Sequence, residues 1–257
     1  MALSKKEPED YARALLSHFG IKRVDNVGKF ADKIGLEIRE VDSRGFEGAL
    51  VRLPNRPKGI IAVKKDIREM GRKVFTVAHE IAHYFLPGHG VRECFCKSNE
   101  IESWQTHVIR EQEIDANRFA SEILLPVREV YGIVNRRKAT IELASEICAE
   151  FQTSLTATAL KCVDVSEEKC ALVWSQNGTV KWFRRNENFQ YYIRRGELSE
   201  QSKAAQIFNK SFQNHIEGEV QADVWLNDEH MESGMIIWED SLSLPFYNGV
   251  LSILTVD

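Results

Sequence analysis

The sequence predicts an α+β protein with two domains. Helical patterns dominate the first 165 residues, with three short strand patterns among them. After a polar stretch at 164–169, most apolar residues instead fall in short alternating runs that are typical of strands. Because helices and strands that occupy separate parts of a chain indicate the α+β class, we predict one domain over residues 1–165 and a second over 166–257.

The predicted first domain begins with two helices, at 7–19 and 24–34. Apolar residues recur there at helical spacing, and a glycine follows each run. Alternating runs then predict a small sheet before a long helix at 71–86, and a further amphipathic helix is predicted at 111–125. A short helix follows from residue 126 to 135. The predicted strands are 36–41, 46–53 and 59–63.

The end of the predicted first domain resembles a helix-turn-helix unit. Within about 126–163, residues 140–151 and 154–163 predict two helices that a tight turn joins. The residues that the second helix offers outward are Ser154, Thr156, Thr158 and Lys161. A face this poor in arginine is a weak match to a surface that reads a DNA major groove. We therefore expect this part to pack within the protein rather than to bind DNA.

Strand-like runs and one helical pattern fill residues 166–257. Asn177 and Gly178 suit the tight turn of a hairpin between the first two runs. Several strands with one or two helices in a domain of this size predict an α/β sensor domain of the PAS or GAF type. The predicted strands are 171–175, 179–183, 220–226 and 249–254, and the predicted helix is 200–212.

The composition predicts a globular, cytoplasmic protein. The 257 residues are 43% hydrophobic and 28% charged, and no apolar run reaches the length that spans a bilayer. The N-terminus has no apolar segment of the kind found in signal peptides. The net charge of −4 gives no broad attraction to nucleic acid. In the cytoplasm the five cysteines should be reduced; they are Cys94, Cys96, Cys148, Cys162 and Cys170.

The strongest functional signal is a His-Glu-x-x-His motif within the helix predicted at 71–86. His79 and His83 are four residues apart, so they lie on one helix face and can bind one metal ion. Glu80 beside them can act as a general base, and this combination is the zinc peptidase signature. The neighbouring residues Ile81 and Ala82 indicate a buried helix, where imidazoles without partners are costly. This favours a metal site over two solvated histidines.

A catalytic zinc needs a third protein ligand, and His89 is one candidate. It follows His79 by ten residues, which is the spacing of enzymes with a His-Glu-x-x-His-x-x-Gly-x-x-His motif. That motif places glycine where the chain leaves the helix. Here this position is Leu86, and the glycine has moved to Gly88.

The helix predicted at 111–125 offers the other candidates for the third ligand. Glu113 and Asn117 lie four residues apart on one helix face. Glu113 could therefore bind zinc, while Asn117 orients another zinc-binding side chain through a hydrogen bond. Glu111 and Asp115 form the same kind of pair half a turn away. The residue chemistry alone leaves these choices open.

Together these motifs resemble the ImmA/IrrE family of bacterial metallopeptidases. The resemblance implies a gluzincin-like zinc peptidase domain in which His79, His83 and Glu113 bind Zn²⁺ and Glu80 is the general base. The resemblance covers residues 1–165 well and the remainder loosely. The chain departs from the family at Leu125, where methionine is usual. The matching residues are 75–83, Glu113, Ala116, Asn117, Phe119, Ala120, Leu124, Leu125 and Pro126.

The resemblance also implies a substrate and a biological role. The substrate would be a helix-turn-helix transcriptional repressor, and its cleavage would derepress a DNA-damage, mobile-element or phage-defence programme. Two alternatives are a DNA-binding transcriptional regulator with a structural zinc site and a cytoplasmic zinc peptidase of general specificity. His107 and Tyr131 are candidates for stabilising the oxyanion besides zinc.

Two cysteines follow the metal-binding motif closely. Some family members from anti-phage islands are held latent by a cysteine on zinc, and Cys96, directly after Phe95, resembles that cysteine in its setting. A thiolate from Cys96, or less favourably Cys94, could occupy the open position on the metal. The alternative is that both are ordinary reduced cysteines in a loop.

One segment of the predicted sensor domain interleaves aromatic residues with arginines. Single-stranded nucleic acid binds to such surfaces because bases stack on the rings and phosphates pair with the cations. The alternative is an ordinary strand edge with core aromatics and surface arginines. We predict single-stranded DNA as an activator that contacts Trp182, Arg184, Arg185, Tyr191, Arg194 and Arg195.

Overall fold

The structure, a computed structural model, describes residues 6–52, 58–89, 94–96, 107–209, 214–227, 231–232 and 234–256; for 94–96 and 107–110 it describes the backbone alone. The chain forms two compact units. The first unit is Met1–Pro126 with Cys148–Ser154, and the second unit is Val127–Ile147 with Leu155–Asp257. These units do not divide where the composition changes at 164–169. That residues 1–165 act as one domain therefore stays a prediction.

The first unit contains four helices and a four-stranded sheet among its described residues. The strand order is β1-β3-β2-β4, in which β1 and β3 are parallel and the other pairs are antiparallel. The helices are α1 (Pro8–Phe19), α2 (Val27–Lys33), α3 (Met70–Phe85) and α4 (His107–Leu124), and the strands are β1 (Leu36–Val41), β2 (Gly48–Val51), β3 (Gly59–Lys64) and β4 (Cys94–Cys96).

Local sequence signals account for where the first helices begin and end. Pro8 occupies the first turn of α1, and Gly20 ends it in the left-handed conformation with φ of 63°. The side chain of Asn26 accepts a hydrogen bond from the Lys29 backbone and caps α2. Both helices then pack against the core that α3 and α4 share, which holds the metal-binding motif in the middle of the unit.

α3 is the central helix of the first unit. Residues from Thr76 to His83 are all buried, and its apolar members belong to the core. At its start, a Cβ added to Gly71 would lie 2.3 Å from the carbonyl carbon of Thr153. The chain segment around Thr153 can therefore approach α3 closely only because residue 71 is a glycine.

The second unit is built on a six-stranded antiparallel sheet. Its order is β7-β6-β5-β10-β9-β8, so the first and last long strands are neighbours in the centre. The helices are α5 (Val127–Arg137), α6 (Ile141–Phe151, whose last residues belong to the first unit), α7 (Leu155–Val165) and α8 (Lys203–Asn209), and the strands are β5 (Lys169–Gln176), β6 (Thr179–Arg185), β7 (Gly196–Glu197), β8 (His215–Gln221), β9 (Ile236–Leu244) and β10 (Gly249–Val256).

The hairpin predicted at Asn177 and Gly178 is confirmed. Both residues have positive φ, 52° and 71°, as the tight turn between β5 and β6 requires. The strand predicted at 220–226 is wrong in its bounds, because β8 ends at Gln221 and the chain turns into a short 3₁₀ helix, Ala222–Val224. β9 was not predicted. The structure is mixed α+β as expected, and no described helix is both long and apolar enough to cross a membrane.

A buried carboxylate holds α8 to the sheet. Glu239 on β9 is fully buried and accepts hydrogen bonds from the backbone N–H groups of Lys203 and Ala204 at 3.0 and 2.7 Å. It also accepts from Nε1 of Trp225 at 2.6 Å and from the Ser241 hydroxyl at 2.8 Å. Burial raises the pKa of Glu239, and these donors oppose that shift without cancelling it.

Replacing Glu239 by alanine should destabilise the second unit by roughly 3 kcal/mol, because the buried donor of Trp225 and the first N–H groups of α8 lose their acceptor. Urea unfolding followed by Trp fluorescence would measure the change. Glu219→Ala is the matched control, since Glu219 is an exposed glutamate on the adjacent strand β8. Equal stability of the two variants would contradict this assignment.

Candidate metal centre

α3 and α4 bring three side chains with metal-binding atoms together. Nε2 of His79 lies 3.0 Å from Nε2 of His83 and 3.0 Å from Oε2 of Glu113. Nε2 of His83 lies 3.4 Å from Oε1 of Glu113. One donor atom from each residue falls within 4.8 Å of the others, so a single ion could contact all three. Both histidines are buried, and Glu113 is half-buried.

The chemistry of these donors fits zinc. Two imidazole nitrogens and one carboxylate oxygen form the ligand set of a well-known class of catalytic zinc sites, which keep a fourth position for water or substrate. The helical spacing explains the two histidines, which project from one face of α3. Glu113 reaches them because α4 packs along α3.

The side chain of Asn117 contacts the ring of His79. Its Oδ1 is 2.9 Å from Nδ1 of His79. Because a carboxamide oxygen only accepts hydrogen bonds, Nδ1 carries the proton and Nε2 keeps its lone pair for a metal. Asn117 lies one turn after Glu113 on α4. This helix therefore provides one candidate metal ligand, Glu113, and the side chain that orients a second one, His79.

The other candidates for the third ligand lie outside this group of donors. His89 is buried, but its Nδ1 is 3.2 Å from Nδ1 of His83, on the side of that ring away from Glu113. Glu111 is exposed on α4, and neither it nor Asp115 belongs to the group. Among the described residues the geometry therefore favours Glu113, the residue that the family resemblance implies.

Burial and charge set the pKa values within the group. Burial alone would raise the pKa of Glu113, but hydrogen bonds from His79 and His83 hold it well below the ordinary value of 4.5. Burial alone would lower the pKa of His79, whereas Glu113 and the charge of Glu80 raise it above 6.5. Protons and a metal ion compete for the same nitrogen, so metal affinity should fall as the pH drops through the raised pKa of His79.

Glu80 is fully buried next to the two histidines. Strand β2 passes over it so closely that a Cβ on Gly48 would lie 2.7 Å from Oε1 of Glu80 and 2.6 Å from Cγ2 of Thr76. Any larger residue at position 48 would displace the Glu80 carboxylate or the strand. The sequence around Gly48 does not reveal this role, because nothing in its local pattern distinguishes it from a glycine in a turn.

The backbone of the two cysteines after α3 is described, and their side chains lie outside the description. Cys94–Cys96 forms the edge strand β4, which pairs with β2 so that Cys96 is opposite Gly48. The side chain of His107 is also outside the described part. Tyr131 lies in α5, where its hydroxyl donates to Glu167.

A second group with metal-binding atoms lies in the second unit. It comprises His215, Glu217 and Asp240. Nε2 of His215 is 2.6 Å from Oδ1 of Asp240, and Oδ2 accepts a hydrogen bond from the Ile141 backbone at 2.8 Å. These contacts use both oxygens of Asp240 within the protein, so hydrogen bonds account for the positions of His215 and Asp240 without a metal.

The aromatic and arginine residues of the second unit lie near one another, but the arginines have partners within the chain. Arg184 pairs with Asp164 at 2.8 Å, and Nε of Arg194 donates to a backbone carbonyl at 3.0 Å. Arg185 donates to the carbonyl of Tyr191 at 2.6 Å, and Arg195 stacks over the ring of Phe183. Trp182 and Tyr192 are exposed, with 38% and 67% of their surface accessible. Arg184, Arg194 and Arg195 are exposed as well, so rings and cations both reach the surface of this segment.

Comparison with known families agrees with the donor group on α3 and α4. The sequence model of the family Peptidase_M78, described as IrrE N-terminal-like domain, matches residues 31–162, which is more than half of the chain. The chain therefore belongs to this family, the ImmA/IrrE family of metallopeptidases. The matched region contains His79, Glu80, His83 and Glu113.

Comparison with solved structures shows a related fold. A protein described as a Mycobacterium tuberculosis transcriptional regulator superposes with a TM-score of 0.60 at 12% sequence identity, over 97% of this chain and 76% of that one. A likeness at this identity shows the fold alone. No curated protein matches the chain significantly.

Replacing His79, His83 or Glu113 by alanine should strip the metal from the protein, because each change removes one of the three donors that the described residues bring together. The wild-type protein should carry about one zinc ion per chain, measured by elemental analysis after dialysis. Asp115→Ala on the same helix is the control and should keep its zinc. Full metal content in Glu113→Ala, with loss of zinc in His89→Ala, would show that the third ligand is His89.

Proposed function

We propose that the protein is a zinc-dependent endopeptidase that cleaves a helix-turn-helix transcriptional repressor. The observation that carries this proposal is the donor group of His79, His83 and Glu113 with the buried carboxylate of Glu80 beside it. Membership of the metallopeptidase family supports the reaction class. The repressor as substrate and the gluzincin-like domain come from the family resemblance, and the PAS- or GAF-like sensor comes from the pattern of strands and helices after residue 165.

The chemistry divides between the metal and Glu80. When bound, zinc would supply Lewis acidity that polarises the peptide carbonyl and lowers the pKa of water. Glu80 takes a proton from the attacking water as general base and delivers it to the leaving amine. The burial of Glu80 under β2 keeps bulk water away from its carboxylate. Asn117 holds His79 in the tautomer that a ligand needs.

The sheet next to Glu80 offers a place for an extended substrate. Peptides can bind as an added strand on a sheet edge through backbone hydrogen bonds. Strand β2 contacts Glu80, and β4 forms the edge of the described sheet on the β2 side. We assign the substrate strand to this edge, since the other edge strand, β1, is separated from β2 by β3.

Glu80→Gln should abolish repressor cleavage while zinc stays bound, because the amide cannot take up the proton. A loss of about 100- to 10,000-fold in kcat is expected for a general base. The assay combines gel-based cleavage of a helix-turn-helix repressor with zinc analysis of the same preparation. Glu111→Gln, which changes an exposed glutamate on α4, should cleave at the wild-type rate.

The same experiment tests the alternative that the protein is a DNA-binding regulator with a structural zinc site. One protein of related fold is described as a transcriptional regulator, and that description is a reason to test this alternative. Glu80→Gln would then keep full function. Against this alternative, Thr158 of α7 is fully buried, so the prediction that it faces outward is wrong. Lys161 is half-buried, and the second helix of the helix-turn-helix-like part therefore presents little free surface to a DNA groove.

A general peptidase would be recognised by its substrates. We propose a specific peptidase in the cytoplasm, whose cleavage derepresses a DNA-damage, mobile-element or phage-defence programme. A repressor encoded beside this gene should be cut at one site, and a panel of unfolded proteins should be left intact. Broad cleavage of the panel would support general specificity instead.

We propose that Cys96 holds the resting enzyme latent through its thiolate. The strand register supports this, since Cys96 is opposite Gly48, whose Cβ position is 2.7 Å from Oε1 of Glu80. Cys96→Ser should therefore raise basal cleavage, whereas Cys94→Ser, two residues away on the same strand, should leave it unchanged. A crystal structure with Cys96 sulfur well beyond the usual zinc–sulfur distance of about 2.3 Å would exclude the latch.

We further propose that single-stranded DNA activates cleavage through the exposed rings of Trp182 and Tyr192 and the neighbouring arginines. Stimulation by oligonucleotides should fall with salt, because phosphate contacts release counterions. The variant Arg184→Glu/Arg194→Glu should lose stimulation, and Arg39→Glu, an exposed arginine in the first unit, is the control. If oligonucleotides have no effect at low salt, a small molecule in the sensor domain becomes the better hypothesis.

A further inference from the structure

His89 is buried beside the candidate metal centre without joining its donor atoms. Only 6% of its surface is accessible, and its Nδ1 lies 3.2 Å from Nδ1 of His83. The atoms that could face a metal are at the other side of the His83 ring, where Nε2 is 3.0 Å from Nε2 of His79 and 3.4 Å from Glu113. His89 thus contacts the back of a predicted ligand.

Only one arrangement of protons lets His83 bind a metal through Nε2. That nitrogen must offer its lone pair, so the proton of the neutral ring sits on Nδ1. Nδ1–H of His83 then points to Nδ1 of His89, which accepts it when His89 carries its own proton on Nε2. The 3.2 Å contact is therefore a hydrogen bond from His83 to His89 whenever His83 is a ligand.

The two histidines of the motif are held in the same manner. Nδ1 of His79 donates to Oδ1 of Asn117 at 2.9 Å, just as Nδ1 of His83 faces an acceptor in His89. Acceptors behind metal-binding imidazoles fix the tautomer and the plane of the ring, and they raise the basicity of the ligand. Each imidazole of the centre therefore has one such group.

The turn that carries His89 is tied to α4. Gly88 adopts a positive φ of 84°, and its carbonyl accepts a hydrogen bond from Nε2 of Gln112 at 2.9 Å. Within the turn, the N–H of His89 donates to the carbonyl of Leu86 at 3.3 Å. Gln112 directly precedes Glu113, so α4 also fixes the position of the acceptor behind His83.

We propose that His89 is a positioning residue that accepts a hydrogen bond from Nδ1 of His83 and thereby sets the tautomer and orientation of this ligand. The proposal rests on the metal centre of the proposed function, but it does not depend on peptidase activity. It accounts for a buried histidine ten residues after His79 that is not among the metal donors.

Zinc affinity of His89 variants tests this role. His89→Leu introduces an apolar side chain of similar bulk and removes the acceptor, so zinc binding should weaken by about 10- to 100-fold in competition with a chelating indicator. His89→Asn places an amide oxygen where the ring has Nδ1 and should restore most of the affinity. The visible absorption of the Co²⁺-substituted protein should change in His89→Leu and resemble wild type in His89→Asn.

Leu86→Ala is the matched control, because it removes a buried side chain from the same turn without touching a ring nitrogen. It should lower the unfolding temperature and leave zinc affinity unchanged. Unchanged affinity in His89→Leu, or equal weakening in both His89 variants and Leu86→Ala, would overturn the proposal. Loss of all zinc in both His89 variants, with normal zinc in Glu113→Ala, would instead make His89 a ligand.

A measurement on the wild-type protein does not depend on how the variants fold. Nitrogen-15 NMR of the zinc-loaded protein should show His83 protonated on Nδ1 and His89 protonated on Nε2. A proton on Nδ1 of His89 would overturn the proposal. Because none of these experiments uses a substrate, they stand apart from any failure of the peptidase assay.

Discussion

The packing of α4 against α3 is the constraint on which the first unit depends. One face of α3 buries two imidazoles and the carboxylate of Glu80, which are groups that cost free energy to bury without polar partners. α4 meets that face with Glu113 and Asn117, while its apolar residues join the core on either side. The same contact thus gives the two imidazoles polar partners and builds the donor set. A chain that lost this packing would lose the metal centre and the core together.

Part of this site was predictable because it depends on residues that are close together in the sequence. His79 and His83 are four residues apart, and this spacing places both side chains on one helix face whatever the rest of the fold. Glu113 lies 30 positions beyond His83, and the residue chemistry alone put it only modestly ahead of His89 and of the pair of Glu111 and Asp115. The family resemblance singled it out, and the geometry agrees, since His89 lies behind the His83 ring. The role of His89 depends on the turn geometry at Gly88, which a sequence pattern does not contain.

Other features escaped prediction because they arise from contacts distant in sequence. Gly48 matters through its approach to Glu80, on a helix 32 positions later. Strand β9 was missed because Glu239 and Asp240 lie side by side in its middle, where two acidic residues normally indicate exposed chain. Successive strand residues face opposite sides of a sheet. Glu239 accepts from the start of α8 and Asp240 from the start of α6, so each buried carboxylate satisfies helix N–H groups.

The path of the chain through its two units bears on how the protein folds during synthesis. Cys148–Ser154 belongs to the first unit, although the stretches on either side of it belong to the second. Its Thr153 sits against the start of α3, where Gly71 leaves room for it. A ribosome releases α3 and α4 well before Thr153, and domains begin to fold as soon as their residues emerge. The first unit therefore stays incomplete until α5 and most of α6 have been synthesised. A nascent chain truncated at Pro126 would contain His79, His83 and Glu113 but would lack part of the unit that surrounds them.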